Sequence, residues 1–119
     1  MVRVGVATAG EVTGEALGIS AFDFVIALVR IRLADGVPIS LEHAMCPADL
    51  VPGLPERELS GSLYELLDAE YGLRPEEAIE YIEVVAASID EASILAIEPG
   101  APLTSITRTT RDAGGVPFE

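Results

Sequence analysis

RIRLADGVPISLE, residues 30–42, has the pattern of two strands joined by a tight turn at Asp35-Gly36. Part of this phrase returns near the end of the chain as RDAGGVP, residues 111–117. The matching arginine, glycine and proline are each 79 positions from their counterparts. Self-similarity at a fixed spacing indicates structural repeats, but two copies are too few for a solenoid. The pattern therefore predicts one domain with internal pseudo-symmetry.

The elements around each hairpin repeat as well. Thr8-x-x-Glu11 and Ser88-x-x-Glu91 both have the pattern of a capping box, in which a hydroxyl and a carboxylate satisfy the first free amides of a helix. A third capped helix is predicted between the two units, from Ser62 to Gly72. We expect strands at 2–8, 22–33, 38–45, 78–87, 97–111 and 116–119, and further helices at 11–17 and from Ser88. The predicted class is α+β, an antiparallel sheet with flanking helices built from duplicated strand-helix-strand-strand units.

The length of 119 residues predicts a single domain, residues 1–119. Half of the residues are hydrophobic, yet no stretch approaches the roughly 20 apolar residues that cross a bilayer, and the N-terminus lacks a signal-peptide pattern. A soluble cytoplasmic protein is expected. Because Cys46 is the only cysteine and His43 the only histidine, we expect no disulfide, no metal site and no cofactor. The formal charge of −13 repels phosphate backbones, so this chain alone should not bind nucleic acid.

The length of the first turn decides which polar side chains share a face of the hairpin. A three-residue loop at 34–36 would place Arg30, Arg32, Ser40 and Glu42 together, whereas a two-residue loop would place Glu42 opposite both arginines. The same three-residue loop at 113–115 would group Thr109, Arg111 and Glu119. Under either alternative, the hairpins carry the polar residues of interest.

These motifs, in this order, resemble the UTRA domain, the effector-binding half of HutC-type GntR bacterial repressors. The resemblance rests on residues 30–42, on GSLYELL at 61–67 with Tyr71-Gly72, and on the run from Gly100 through Arg108 to Glu119, and it covers nearly the whole chain. It implies a chorismate-lyase-like fold and a small-molecule sensor that forms a homodimer and controls a separate winged helix-turn-helix domain. That DNA-binding head is expected to be absent from this chain, and both ends are expected to be trimmed.

The resemblance also implies a ligand site made of Arg30, Arg32, Glu42, Ser62, Tyr64 and Glu119. Arginine can bind a carboxylate or phosphate through two charged hydrogen bonds, and glutamate can accept from hydroxyl or amino groups. This mixture suits a small polar or anionic metabolite. Structural roles compete with each assignment: the arginines can pair with Glu42, Ser62 can cap its helix, Tyr64 can pack as an aromatic, and Glu119 can fray.

Three functions remain open on the sequence alone. The favoured one is an effector-sensing and dimerisation domain of a transcription regulator, which is not an enzyme. A chorismate-lyase-like enzyme is the second, although no nucleophile with an adjacent base is visible and similarity of fold alone does not transfer activity. The third is a dimerisation module with a degenerate pocket.

Overall fold

The structure is a computed structural model that describes residues 2–59 and 61–119, so Met1 and Ser60 lie outside it. It has five strands, β1 Val2–Thr8, β2 Phe24–Ala34, β3 Val37–Pro47, β4 Glu77–Ala86 and β5 Pro102–Arg111. The three α-helices are α1 Gly10–Leu17, α2 Leu63–Tyr71 and α3 Ile89–Leu95, and two short 3-10 turns lie at Ala48–Leu50 and Leu54–Glu56. No helix in the described part of the chain is long and apolar enough to cross a membrane. The predicted α+β class with antiparallel strands and flanking helices is confirmed.

The strands form two antiparallel sheets. One contains three strands in the order β1-β2-β3, and the other contains β4 and β5. The strand predicted at 116–119 is reduced to a bridge between Arg111 and Pro117, followed by backbone hydrogen bonds from Phe118 to Thr110 and from Thr110 to Glu119. The strand predicted from Ile97 begins instead at Pro102, because Ala96 is left-handed and Gly100 turns back to donate to the Ala87 carbonyl.

The first hairpin reverses through two residues, the shorter of the two loops that the sequence left open. Ala34 pairs with Val37, and Asp35 and Gly36 have φ of 50° and 77°, the positive values that two-residue hairpin turns favour. A register shift follows at once: Arg32 pairs with Ser40 while Leu33 pairs with Pro38, which leaves Ile39 as the extra residue of a bulge. Because the bulge restores the even parity, Arg30 still lies opposite Glu42. The expectation that a two-residue loop would place Glu42 opposite both arginines is therefore wrong, because the bulge brings the three side chains to one face.

The second hairpin has the three-residue loop at 113–115. Asp112 donates its N–H to the Val116 carbonyl, and Gly115 within the loop has a φ of 77°. The predicted grouping of Glu119 with Thr109 and Arg111 is wrong, however, because the Thr110 backbone pairs with both Phe118 and Glu119. This extra residue shifts the parity. Glu119 consequently shares the face of Thr110.

The two predicted capping boxes have different outcomes. Ser88 accepts from the Glu91 N–H at 3.1 Å and donates its own N–H to the Glu91 carboxylate at 2.9 Å, a complete capping box. Thr8 caps nothing, since it lies in β1 opposite Phe24 and α1 begins after Ala9 without a side-chain cap. Its prediction as a cap is wrong. Ser62 caps α2 and Gly72 ends that helix in the left-handed conformation, both as predicted.

The main core lies where α2 packs against the first sheet and the chain end. Leu63 and Leu67 of α2 share one apolar cluster with Ile26 and Leu28 of β2 and with Phe118, whose side chain is 0% exposed. Because Phe118 is fully buried, it anchors the final residues of the chain beside α2. This packing places Glu119 next to the first turn of the helix.

Candidate functional site

A charged cluster lies on the first hairpin. Glu42 Oε1 is 3.3 Å from Arg30 Nη2 and 3.3 Å from Arg32 Nε, because the bulged register brings all three side chains to one face. The Arg30 side chain is 15% exposed, while that of Arg32 is 57% exposed. One carboxylate oxygen therefore contacts two guanidinium groups. The Arg32 side chain remains largely exposed to solvent.

The shared Glu42 oxygen is poorly satisfied. Oε1 is buried and accepts no hydrogen bond of acceptable geometry from the described residues, so its contacts with the arginines are charge contacts at 3.3 Å. A buried carboxylate oxygen without hydrogen bonds carries a free-energy cost. The exposed Arg32 guanidinium in this cluster can offer N–H groups to an anion.

Arg30 also ties this cluster to α2. Its Nη1 donates to the Gly61 carbonyl oxygen at 2.8 Å, directly before Ser62, the cap of α2. The Ser62 hydroxyl accepts from the Glu65 N–H at 3.3 Å, so it has the structural role that competed with ligand binding. The positive end of the α2 dipole adds to the charge of the arginines, and helix N-termini bind anions through free N–H groups.

A second polar cluster surrounds Tyr64 in the first turn of α2. The Tyr64 hydroxyl donates to Glu119 Oε1 at 2.5 Å and lies 2.9 Å from Thr110 Oγ1. Burial raises the pKa of Tyr64, and the hydrogen bond to Glu119 raises it further, so the hydroxyl keeps its proton at neutral pH. Glu119 is therefore held in place by a bond to the helix.

The six residues predicted from the sequence thus form two groups, one bonded to the Gly61 carbonyl before α2 and the other to Tyr64 in the first turn of α2. The structure brings Arg30, Arg32 and Glu42 together, and it separately joins Tyr64 to Glu119. Ser62 lies in the chain between the two groups, with its hydroxyl turned to its own helix. No ligand contact follows from this placement alone, and the assignment of these residues to a ligand site stays a prediction.

Sequence reasoning missed Thr110 of the second cluster and an ion pair that begins two residues away on β5. Thr110 is 1% exposed and bonds to Tyr64, while Arg108 and Glu80 form an ion pair on the neighbouring strands. The alternation of side chains in β5 could have grouped Arg108 with Thr110. No local pattern predicts Glu80, because its position opposite Arg108 depends on the register between β4 and β5.

A surface cavity of about 180 Å³ lies apart from both clusters, and none of the six predicted residues lines it. Its walls come from the end of α2, the following loop and the second hairpin turn, and are Gly72, Arg74, Glu76, Asp112, Ala113 and Gly114. Among residues 2–59 and 61–119, no group of three or more His, Cys, Asp or Glu side chains is arranged to hold a metal ion.

Comparison with known proteins yields one family across the whole chain, the UTRA domain, which matches residues 1–119. The HTH-type transcriptional repressor NagR of Bacillus subtilis (strain 168) is 34% identical over 92 residues, which are 77% of this chain and 38% of NagR. The HTH-type transcriptional repressor PhnF of Mycolicibacterium smegmatis is 29% identical over 113 residues, 94% of this chain and 46% of PhnF. The chain spans less than half the length of these two relatives.

Solved structures have the same fold. The effector domain of PhnF from Mycobacterium smegmatis superposes with a TM-score of 0.90 at 27% identity, covering 98% of this chain and 72% of that one. A transcriptional regulator of the GntR family from Enterococcus faecalis V583 superposes with a TM-score of 0.90 at 29% identity, covering 99% of this chain and 87% of that one.

Proposed function

The chain belongs to the UTRA domain family, and on that premise we propose that it is the effector-binding domain of a GntR-type transcription regulator. A small polar or anionic metabolite binds beside the first turn of α2. Binding shifts the population between arrangements of the domain and so changes DNA binding by a separate winged-helix domain. The observation that carries the proposal is the joining of Arg30, Arg32 and Glu42 to the start of this helix.

The charge of the chain supports a binding role for the two arginines. Only seven basic residues stand against twenty acidic ones, yet two of the seven share one face of one strand. A single carboxylate between them leaves the cluster with one net positive charge. A ligand carboxylate or phosphate would complete the pairing with bidentate hydrogen bonds.

The contact between Tyr64 and Glu119 supports a ligand that also has a polar group at the end away from the arginines. Tyr64 directs its proton to Glu119, and a carboxylate has further capacity to accept hydrogen bonds from hydroxyl or amino groups. We therefore infer a ligand that combines an anionic group for Arg30 and Arg32 with hydrogen-bond donors for Glu119. Phosphorylated sugars and small hydroxylated acids have this chemistry.

A regulator is better supported than an enzyme. The two curated relatives are transcriptional repressors, and the structural neighbours include an effector domain and a GntR-family regulator. Regulators of this kind act on DNA in the bacterial cytoplasm, and we place this protein there. The chorismate-lyase-like alternative predicts release of product from chorismate above the uncatalysed background, which we do not expect.

We further propose that the domain forms a homodimer. Ile82 and Ile106 are cross-strand partners on β4 and β5 and are 65% and 55% exposed, and Val84 on the same face is 74% exposed. Contiguous exposed apolar surface of this kind marks an interaction site. A second copy of the chain would remove this surface from water.

The experiment that tests the ligand proposal is a thermal-shift screen against phosphosugars and small hydroxylated acids, with Arg32→Ala beside the wild type. Arg32 suits the test because it is 57% exposed and Glu42 keeps its contact with Arg30 when Arg32 is removed, so the loss should cost under about 1 kcal/mol of folding free energy. A ligand at a hundredfold excess over its dissociation constant stabilises the native protein by about 2.7 kcal/mol. We expect at least one compound to raise the melting temperature of the wild type and to lose this effect in Arg32→Ala.

Arg74→Ala is the matched control. Arg74 is 76% exposed and lines the separate surface cavity, so its removal changes the net charge equally without touching the proposed site. If Arg74→Ala abolishes the shift and Arg32→Ala does not, the ligand binds elsewhere and the assignment is wrong. If no compound shifts the wild type, the dimerisation module without a working pocket becomes the better reading.

A further inference from the structure

Strand β4 presents one unpaired edge to solvent. It pairs with β5 along Glu77–Ala86, and no other strand of residues 2–59 and 61–119 pairs with it. Nine of its ten residues are exposed, so the rest of the described chain covers neither of its faces. A two-stranded ribbon is only marginally stable in water by itself. A further strand beside β4 would therefore stabilise this part of the fold.

The register of the ribbon shows which backbone groups of β4 are free. Ala87 donates its N–H to the Ala101 carbonyl at 2.8 Å, which continues the register of β4 and β5 past the end of both strands. Because alternate residues of an antiparallel strand exchange hydrogen bonds with the same neighbour, the odd-numbered residues of β4 bond to β5. The even-numbered residues direct their N–H and C=O groups away from β5, and they are Ala78, Glu80, Ile82, Val84 and Ala86.

The edge of β4 lacks most of the features that prevent strands from pairing. Edge strands are commonly protected by short length, proline, lysine or a bulge. Over Glu77–Ala86 the strand is ten residues long, contains neither proline nor lysine, and pairs with β5 without a register shift. Its charged residues are Glu77, Glu80 and Glu83. Glu80 is already paired, at 2.6 Å from Arg108 on β5. Another strand can therefore add to this edge if it does not place further carboxylates opposite these glutamates.

A second copy of β4 is a strand whose pairing can be worked out residue by residue. In an antiparallel pair, residues that lie opposite each other point to the same face of the sheet. A two-fold axis normal to the sheet keeps that face, so opposite residues differ by an even number and the axis passes through one residue of the strand. An axis at Glu80 sets the two copies of Glu80 against each other, and an axis at Glu83 does the same for Glu83. Like charges directly opposite each other are destabilising.

An axis at Ile82 avoids every contact between glutamates. It sets Ile82 against its own copy and Ile79 against Val85, so that apolar side chains face each other. An axis at the neighbouring Tyr81 would instead set Ile79 against Glu83. With the axis at Ile82 the same carboxylate faces Tyr81, which has a hydroxyl that can donate to it. The sequence of β4 thus matches itself best with the axis at Ile82.

We propose that two copies of the chain join β4 to β4 in antiparallel orientation about a two-fold axis at Ile82. The result is one four-stranded sheet in the order β5-β4-β4-β5. This pairing rests on the homodimer proposed above and specifies the strand and the register that form it. Main-chain hydrogen bonds provide affinity in strand addition of this kind, and they would pair the outward backbone groups of β4.

Disulfide formation in single-cysteine variants measures the register. In Ile82→Cys the two thiols face each other with Cα atoms about 5.5 Å apart, as in a hydrogen-bonded antiparallel pair, and a disulfide spans this separation. In Val84→Cys they are displaced by four residues, roughly 13 Å along the strands, which a disulfide cannot span. Val84 is a matched control because it is 74% exposed on the same face as Ile82, which is 65% exposed.

We expect oxidised glutathione to convert Ile82→Cys to a covalent dimer at least about tenfold faster than Val84→Cys. The wild type gives the background, since native Cys46 is 2% exposed. Equal rates in the two variants would overturn pairing through the edge, because packing of that face on another copy would not distinguish them. Faster cross-linking in Tyr81→Cys would overturn the register.

A mixture of Ile79→Cys and Val85→Cys gives a second measurement of the register. These positions face each other when the axis lies at Ile82, whereas each position is six residues away from its own copy. The mixture should therefore form covalent dimer, and neither variant alone should do so. Absence of cross-linking in the mixture would contradict the proposed register.

A proline substitution tests the backbone hydrogen bonds directly. The N–H of Val84 points away from β5, so Val84→Pro keeps the ladder with β5 but removes a donor from the dimer. Val84→Ala is the matched control because it shortens the side chain and keeps the N–H. We expect Val84→Pro to raise the dimer dissociation constant in analytical ultracentrifugation at least about tenfold more than Val84→Ala.

The outcomes separate this pairing from the homodimer itself. If the wild type sediments as a monomer, both the homodimer and the pairing are wrong. If it is a dimer that Val84→Pro and Val84→Ala weaken equally, the homodimer stands and the edge of β4 does not form it. Should Val84→Pro fail to fold by circular dichroism, the cysteine variants still decide, because their positions are exposed or partly exposed in the single chain.

Discussion

Glu42 and Tyr64 show how single residues divide their bonding between structure and ligand. Glu42 shares one oxygen between two arginines without a well-formed hydrogen bond, whereas the Tyr64 hydroxyl is hydrogen-bonded to both Glu119 and Thr110. A buried polar group with poor hydrogen bonds is stabilised by a new partner, whereas a well-bonded group must first give up a hydrogen bond that it already makes. At the residue scale, the arginine end of the proposed site is therefore open to exchange, and the Tyr64 end is preorganised.

Cys46 is a buried thiol at the edge of the second cluster. It is 2% exposed, and burial, with a smaller contribution from the charge of Glu119, raises its pKa from 9.0 to about 12. At pH 8 the thiolate fraction is then about 1 in 10⁴ in the folded protein and about 1 in 10 in the unfolded chain. We predict that iodoacetamide alkylates native Cys46 at least about a hundredfold more slowly than the protein in denaturant.

The same shift in pKa predicts how stability depends on pH. A thiol with a raised folded pKa stabilises the fold below its unfolded pKa of 9.0, and this contribution is lost as the pH rises from 9.0 towards 12. Denaturation midpoints measured between pH 7 and 11 should fall less in Cys46→Ala than in the wild type.

In the alkylation experiment, a short peptide thiol in the same denaturant corrects the rates for the effect of denaturant on the reagent. Equal alkylation of native and unfolded protein would show that Cys46 is accessible.

At the scale of elements, identical sequence patterns have different structural outcomes. Ser88 completes a capping box with Glu91, while Thr8 belongs to β1 and caps nothing. We predict that Ser88→Ala lowers the free energy of unfolding by about 1 kcal/mol, the usual cost of removing an N-cap, and that Thr8→Ala changes it by less than half as much. Urea denaturation of both variants measures the difference. Equal losses would mean that Thr8 also caps its helix in solution.

The backbone of residues 19–21, which connects α1 to β2, passes close to Gly14 in α1. A Cβ atom at Gly14 would lie 2.9 Å from the Ile19 carbonyl oxygen and 3.2 Å from the Ala21 nitrogen, and both are backbone atoms that cannot move aside cheaply. Alanine favours a helix over glycine by about 1 kcal/mol, but overpacking costs about 1–3 kcal/mol. We predict a net loss of unfolding free energy in Gly14→Ala.

Gly5→Ala is the control for this substitution. A Cβ atom at Gly5 meets no atom within 4 Å, so the change should leave the free energy of unfolding the same or slightly higher. Chemical denaturation of the two variants under the same conditions provides the comparison. If Gly14→Ala is as stable as Gly5→Ala, the backbone at 19–21 shifts to make room for the added methyl group.

The elements themselves could be predicted from local pattern, but their pairing details could not. Asp35-Gly36 correctly predicted a chain reversal. The bulge at Ile39, which keeps Glu42 beside the arginines, depends on how the two whole strands pair and could not be predicted. Six site residues were carried over through the family motifs. Thr110 was missed because it meets Tyr64 across 46 positions of the chain, and Arg108 and Glu80 were missed because their ion pair joins residues 28 positions apart. No local spacing encodes such contacts.

At the scale of the whole molecule, charge and apolar surface act against each other. Each chain carries a formal charge of −13, so two copies repel, while the exposed apolar face of β4 and β5 favours their association. Salt screens the repulsion over a Debye length of about 10 Å at 0.1 M and leaves the apolar contribution in place. The proposed homodimer should therefore become tighter as salt is added.

Analytical ultracentrifugation of the chain in low and moderate sodium chloride tests this expectation. We predict that the dimer dissociation constant falls as salt rises, and that Ile82→Glu raises it at least about tenfold, because a charge placed in an apolar interface must be desolvated. The side chain is 65% exposed in the single chain, so the variant should keep its fold. Val12→Glu is the control. Val12 is 85% exposed on α1, so this substitution adds the same charge away from the proposed interface. If both variants weaken the dimer equally, general repulsion accounts for the effect, and the interface lies elsewhere than on β4 and β5.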